Sequence, residues 1–171
     1  GTMYKTYIPS DTTNNPRGLA YDSVADELYV LVDGKAEDAV VVLDKTSGTA
    51  VRNFPVEGFT DTFSIHYLEN HVYVGASQDG MCCGPPPQWI IKLDSQTGAE
   101  VSKDQANDMM GTAYGMDHDG SNFITSNEYG GPHVEVLSEG SYERQADIYF
   151  YDPNDHNSMN MVEGFTAVAY R

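Results

Sequence analysis

The pentapeptide Val-Glu-Gly-Phe-Thr occurs twice in the sequence, at residues 56–60 and again at residues 162–166. Each copy leads into a short apolar segment that ends in tyrosine, Ser64–Tyr67 after the first and Ala167–Tyr170 after the second. Between them, a diverged version of the same passage leads into Ala113–Met116. A repeat with a period of about 50 residues indicates an architecture assembled from similar units, each packed on its neighbours.

Short segments rich in β-branched and aromatic residues recur in each unit, and turn-forming residues bound them. Every window with helical periodicity is interrupted by Gly, Pro or Asn. The sequence therefore predicts an all-β chain. The predicted strands include Glu27–Val32, Val40–Leu43, His71–Val74, Trp89–Leu93 and Ile148–Tyr151.

Four strands in each period are typical of a β-propeller, whose sheets stack around an axis because one sheet cannot bury both of its faces alone. We predict about three complete four-stranded blades plus flanking strands, one of them at Tyr4–Ile8. The predicted blades of this single domain, residues 1–171, are residues 16–60, 61–108 and 109–165, and residues 166–171 begin another. Because propellers usually close with about 4–8 blades, we expect a segment of a larger or assembled propeller. The alternative is a small ring that closes by itself.

Two turns carry a family resemblance. Residues Leu43–Thr49 and Leu93–Glu100 resemble the Leu-Asp-x-x-Thr-Gly turn of YncE-like and quinoprotein-like propellers. Residues Pro16–Asp22, followed by Glu27–Val30, resemble the start of NHL or YWTD blades. The resemblance implies a propeller fold. It implies no particular reaction, because Asp and Gly serve to form the turn.

The net charge limits the classes of partner. The formal charge is −17, from 26 acidic and 9 basic residues. Such a charge disfavours nucleic acid and anionic lipid, and suits cations or cationic partners. Solubility alone is the alternative explanation. No apolar run approaches the roughly 20 residues of a membrane helix, so membrane insertion is not expected. We predict a non-catalytic binding or scaffolding module of an extracytoplasmic protein, at a cell surface, in the periplasm or outside the cell. Its expected partners are a protein or carbohydrate ligand, a second copy, or neighbouring blades.

Recognition is predicted on the face formed by the loops between the second and third strands of each unit, because long loops on one face often carry function. The third of these loops is predicted to be the longest and to span residues 128–145. The candidate binding residues are Trp89, Glu128, Tyr129, His133, Glu135 and Tyr142, with Trp89, Tyr129 and Tyr142 as exposed anchors. On a strand, His133 and Glu135 would share a face. They could there ligate a metal or transfer protons, and a solvated loop is the alternative.

Two further groups of residues suggest chemistry. Cys82 and Cys83 are the only cysteines, and a disulfide between them would imply an oxidising compartment; two reduced thiols are the alternative. Two acidic turns suggest calcium as a cofactor, because their alternating oxygen ligands suit this ion. The calcium candidates are Asp117, Asp119 and Asn122 in one turn and Asp152, Asn154 and Asp155 in the other. Ordinary turn hydrogen bonding would explain both turns without an ion.

An enzyme is the competing hypothesis. The resemblance would then imply a metal-dependent lactonase-like hydrolase or a quinoprotein-like oxidoreductase, with a site on the propeller axis. The residues of that site would be Asp61, His66, Glu128 and His133. A third hypothesis is that the blades are structural spacers in a large surface protein.

Overall fold

The computed structural model describes residues 15–34, 37–59, 61–77, 87–106, 114–127 and 133–149. These residues form three four-stranded antiparallel sheets, each with its strands in chain order. Sheet 1 contains β1 (Pro16–Asp22), β2 (Glu27–Val32), β3 (Ala39–Asp44) and β4 (Ala50–Pro55). Sheet 2 contains β5 (Thr62–Leu68), β6 (His71–Ser77), β7 (Gln88–Asp94) and β8 (Glu100–Gln105). Sheet 3 contains β9 (Gly115–His118), β10 (Asn122–Asn127), β11 (His133–Ser138) and β12 (Arg144–Tyr149).

The prediction of an all-β chain is confirmed. In the described part of the chain, no helix has the length and apolar character of a membrane span. The strand predicted at Tyr4–Ile8, the second copy of the repeated pentapeptide and the blade start at residues 166–171 lie outside the described residues.

The first core lies between sheets 1 and 2, and alternate residues of their strands contribute side chains to it. Tyr29 of β2 pairs with Val42 of β3, and both side chains are fully buried. Val30, between buried neighbours on β2, lies on the other face and is only partly buried. From sheet 2, Val74 and Ile91 complete the same apolar cluster. Period-two burial of this kind is what a pleated strand imposes on its sequence.

The opposite face of sheet 2 forms a second core with sheet 3. Tyr73 and Ile90 pack there against Phe123 and Leu137. The ring centroids of Tyr73 and Phe123 are 4.7 Å apart. Sheet 2 is therefore covered on both faces, by sheet 1 on one side and sheet 3 on the other.

The first strands of the three sheets lie side by side and run in the same direction. Arg17, near the start of β1, contacts Asp61, which directly precedes β5. Phe63, near the start of β5, packs against Tyr114, which directly precedes β9, with ring centroids 5.7 Å apart. We call the end at which β1, β5 and β9 begin the long-loop end. Strands β2, β6 and β10 end there, and β3, β7 and β11 begin there. The opposite end, where tight turns join β3 to β4 and β7 to β8, is the tight-turn end.

The same turn joins the third and fourth strands of sheets 1 and 2. In sheet 1 the amide of Gly48 donates to the carbonyl of Asp44 at 2.7 Å, and in sheet 2 Gly98 donates to Asp94 at 2.8 Å. The two glycines have φ angles of 75° and 72°. Glycine is favoured there because positive φ strains residues that carry a Cβ.

The strand positions predicted for the third unit were wrong. Residues 128–145 are not one long loop, because they contain β11 and the start of β12. Ile148 belongs to β12, the fourth strand of sheet 3, and not to a third strand. The amide of Tyr142 donates to the carbonyl of Ser138 at 3.0 Å, so this pair repeats the turn of the other sheets without the Asp and Gly that mark it in sequence. The connection between β10 and β11 covers only residues 128–132.

Candidate functional site

Charged side chains meet at the long-loop end beside the first strands. The guanidinium group of Arg17 donates to Asp33 at 2.9 Å and to Asp61 at 3.3 Å. The hydrogen bond to Asp33 raises the pKa of Arg17. The guanidinium carbon of Arg17 lies 5.8 Å from the ring centroid of Phe63, within cation–π range. With Tyr114, these four residues form what we call the axial cluster.

A buried carboxylate joins sheets 1 and 2 at the same end. Asp38, directly before β3, is fully buried. One of its oxygens accepts hydrogen bonds from the amide and the hydroxyl of Thr62, at 2.8 and 2.7 Å. Its other oxygen accepts the amide of Gly34 at 3.1 Å. Because Asp38, at the start of β3, accepts two hydrogen bonds from Thr62 of sheet 2 and one from Gly34 of the β2–β3 loop, its main role is to hold sheets 1 and 2 together.

A second polar group, the His133 cluster, lies on the face of sheet 3 that packs against sheet 2. His133 and Glu135 are fully buried, and His133 Nε2 lies 3.3 Å from Glu135 Oε1. The side-chain Nδ2 of Asn127 donates to Glu135 Oε2 at 3.4 Å. Arg144 Nη1 lies 3.4 Å from Asp147 Oδ2 and 4.0 Å from Glu135 Oε1. His133, Glu135 and Asp147 each offer one ligand atom, and these three atoms lie within 4.8 Å of one another. Such a spacing suits a metal ion.

Two of the three predicted anchors are not exposed. Tyr142 is only 4 % exposed, because its side chain packs in the second core against Phe123, with ring centroids 5.8 Å apart. Burial also raises the pKa of Tyr142. Trp89 is partly buried against the first core and meets Phe59 edge to face at 6.3 Å. Both rings therefore contribute to the cores of the fold, and their part in ligand binding stays a prediction.

Of the two predicted calcium turns, one is described. Asp119 Oδ1 accepts the amides of Ser121 and Asn122, at 2.8 and 2.7 Å. Asp117 Oδ1 accepts the amide of His118 at 2.9 Å. These bonds account for the acidic residues as turn formers, and calcium at this turn stays a prediction.

The predicted enzyme constellation is divided between the two ends of the sheets. His66 lies four residues beyond Thr62 on β5, a distance of about 13 Å along a strand. It contacts Asp117, with Nδ1 and Oδ1 3.4 Å apart, near the tight-turn end. Asp61 and His133 lie at the long-loop end, in different sheets. The described residues therefore do not bring these three side chains together.

His66 should make the protein sensitive to mild acid. Burial lowers the pKa of His66 from its ordinary value of 6.5, Asp117 acts to raise it, and His118 lowers it further. Below about pH 6.5 the unfolded chain binds a proton at this position while the folded chain resists it, so stability falls as pH decreases towards the lowered pKa. Thermal unfolding followed by circular dichroism at about pH 7.5 and 5.5 should show a smaller drop in Tm for His66→Gln than for the unmodified protein. An equal drop in both proteins would contradict this assignment.

Several predicted residues lie outside the described part of the chain. They are Cys82, Cys83, Glu128, Tyr129, Asp152, Asn154 and Asp155. Their roles in a disulfide, in ligand binding and in a second calcium turn stay predictions.

Sequence reasoning missed most of the residues that build the two polar groups. Arg17 falls in the predicted blade start at Pro16–Asp22, Asp33 and Asp38 in the first predicted recognition loop and Arg144 in the third, but the sequence singles out none of them, nor Asp147. No local signal marks the contacts of Arg17, whose partners are 16 and 44 residues away, and Asp147 meets Glu135 only through the register of β11 and β12. The one available signal was the two-residue spacing of His133 and Glu135.

A cavity of about 250 Å³ lies between β4 and the β7–β8 turn. Phe54 and Leu93 contribute apolar walls, and the lining includes two exposed glutamates, Glu57 and Glu100. A Cβ at Gly98 would lie 2.4 Å from the Cβ of Phe54, so the turn packs tightly beside the cavity. The cavity is a packing feature of this turn and is separate from both polar groups.

No protein-family model matches the chain, and a search of curated proteins finds no similar sequence. The resemblance to YncE-like, quinoprotein-like and NHL or YWTD blades therefore rests on the quoted turn and strand motifs alone.

Proposed function

We propose that the chain is a segment of a β-propeller that acts as a non-catalytic binding module. Three consecutive four-stranded sheets with the same strand order support the propeller. So do the parallel alignment of the first strands and the packing of sheet 2 between sheets 1 and 3. In a propeller, β1, β5 and β9 would line the axis.

The axial cluster is the recognition surface in this proposal, and it is the observation that carries it. Its charged side chains are partly exposed: 29 % for Arg17 and 35 % for each of Asp33 and Asp61. Two carboxylates face one guanidinium group, which leaves a net negative charge. The rings of Phe63 and Tyr114 stand beside these charges and are partly buried. A surface with aromatic rings and mixed charges is typical of protein recognition sites.

The partner that this surface fits best is a positively charged protein segment. The formal charge of −17 attracts cationic partners over distances of about a Debye length, roughly 8 Å at physiological salt. At the axial cluster, Lys or Arg side chains of the partner would compete with Arg17 for the two carboxylates. Charge complementarity of this type mainly increases association rate and specificity.

Selection of a random-peptide display library on the immobilised protein tests the proposal. We expect enriched peptides to be rich in Lys and Arg and to bind less tightly as salt increases. Asp61→Asn should weaken the selected peptides by about tenfold, because one of the two carboxylates loses its charge.

The matched control is Asp26→Asn. Asp26 is also a partly exposed carboxylate, and it pairs with a single lysine, Lys45, at the tight-turn end. This variant should leave peptide binding unchanged. Equal weakening by the two substitutions would show that binding follows only net charge, and an absence of basic peptides among the binders would refute a cationic partner.

A further inference from the structure

The polar residues of the His133 cluster occupy positions that the fold fills with apolar side chains in sheet 2. Aligning the turns at Asp94 and Ser138 places β11 in register with β7. By that alignment His133 corresponds to Trp89 and Glu135 to Ile91. Trp89 and Ile91 both pack in the first core. The strand architecture therefore does not require a histidine and a carboxylate at these positions.

Burying these groups is costly. A fully buried carboxylate loses its hydration, and the protein must replace it with close partners. Asn127 lies 3.4 Å from Glu135 and His133 lies 3.3 Å from it, and Arg144 approaches Glu135 to 4.0 Å.

The distance between the histidine and the carboxylate fits two ligands of one metal ion. Zinc lies about 2.0–2.2 Å from nitrogen and oxygen ligands, so the edge of its tetrahedron is about 3.3 Å. His133 Nε2 and Glu135 Oε1 are 3.3 Å apart. Asp147 lies directly across the sheet from Glu135 and supplies a third ligand atom within 4.8 Å of the other two.

A second observation points to a ligand on the same face. Thr125 pairs with Glu135 on the side opposite Asp147 and is fully buried. Its hydroxyl has no hydrogen-bond partner among the described residues. Buried hydroxyl groups are rarely left unsatisfied. A water molecule on a metal ion at this position would give the hydroxyl a partner.

We propose that His133, Glu135 and Asp147 bind one divalent transition-metal ion of the zinc class between sheets 2 and 3. One nitrogen and two carboxylate ligands suit zinc, with a fourth position for water, whereas calcium needs about 6–8 oxygen ligands. The side chain of Asp147 is 24 % exposed and that of Arg144 30 %, so an ion can reach the site along β12. In the metal-free protein Arg144 neutralises the carboxylates, and it turns outwards when the ion binds. This proposal does not depend on the proposed recognition of a cationic partner, because it concerns different residues.

Calorimetric titration of the chelator-treated full chain with Zn²⁺ tests the site. Cysteines are first blocked with iodoacetamide, so that Cys82 and Cys83 cannot bind the metal. We expect one Zn²⁺ per chain and no comparable binding of Ca²⁺. Co²⁺ should give the strong visible absorption bands of a four-coordinate site. Asp147→Asn should weaken Zn²⁺ binding at least about tenfold, since one of three protein ligands loses its charge.

The matched control is Glu100→Gln. Glu100 pairs with Lys103 three residues away on β8, just as Asp147 pairs with Arg144 on β12. Loss of the Glu100 charge should leave Zn²⁺ affinity unchanged. Arg144→Gln should tighten binding, because the competing cation is removed, whereas a purely structural ion pair predicts no such gain. Absence of Zn²⁺ binding, equal affinity in Asp147→Asn, or weaker binding in Arg144→Gln would each overturn the proposal.

Discussion

Asp38→Ala is expected to lower the free energy of unfolding by about 3 kcal/mol. The substitution removes the acceptor of three hydrogen bonds, two from Thr62 and one from Gly34. The substitution would leave all three donors without this acceptor at a fully buried position. An unsatisfied buried donor costs about 1–3 kcal/mol. Equilibrium unfolding in urea, followed by circular dichroism, gives the change in free energy.

Two further variants separate the charge from the hydrogen bonds. Asp38→Asn keeps one acceptor oxygen and should cost less than Asp38→Ala. Thr62→Val removes only the hydroxyl donor and should cost about 1 kcal/mol. In the double variant Asp38→Ala with Thr62→Val the two losses should not add, because both include the same hydrogen bond. Additive losses would mean that Asp38 and Thr62 do not act as a pair.

Sheets 1 and 2 could be predicted from the sequence, because both contain the regular turn between their third and fourth strands. In sheets 1 and 2, an Asp and a Gly four residues later mark the turn between the third and fourth strands. The predicted strands Val40–Leu43 and Trp89–Leu93 lie within β3 and β7. Apolar side chains on both faces of these strands gave a clear signal, and in β7 both faces are covered, one by sheet 1 and the other by sheet 3.

Sheet 3 was misread for a physical reason. The turn glycine is replaced by Tyr142, which adopts a φ of 53° and is held by its buried ring. Tertiary packing of Tyr142 here outweighs the usual preference for glycine at a position with positive φ. The strand itself reads His-Val-Glu-Val-Leu, and the charged residues suggest a solvated loop. Local sequence cannot show that His133 and Glu135 face a neighbouring sheet.

The polar groups could be predicted only where their partners are close in sequence. His133 and Glu135 lie on one strand, so their spacing alone places them on one face. The contacts of Arg17 with Asp61 and of Asp38 with Thr62 join different sheets, and they exist only once those sheets stack. The same limit applies to Asp147, whose proximity to Glu135 depends on the register of β11 and β12.

Phe123→Ala is expected to destabilise the protein by about 3–5 kcal/mol, the largest effect of a single substitution that we predict. Phe123 is fully buried and joins sheets 2 and 3. Its ring centroid lies 4.7 Å from that of Tyr73 and 4.9 Å from that of His118. Removal of the ring leaves a cavity that these neighbours fill only in part. Phe63→Ala, at the partly buried rim of the long-loop end, should cost clearly less in the same urea experiment.

The two cores allow a sharper form of this test. Trp89 is the only tryptophan, and it packs against the core of sheets 1 and 2, so its fluorescence reports on that core. In proteins built from stacked units, stability is approximately a sum of unit and interface contributions. Phe123→Ala weakens only the interface between sheets 2 and 3. It should therefore shift the urea midpoint seen by circular dichroism more than the midpoint seen by fluorescence, whereas Val42→Ala, in the first core, should shift both. Coincident midpoints in Phe123→Ala would mean that the three sheets unfold as one cooperative unit.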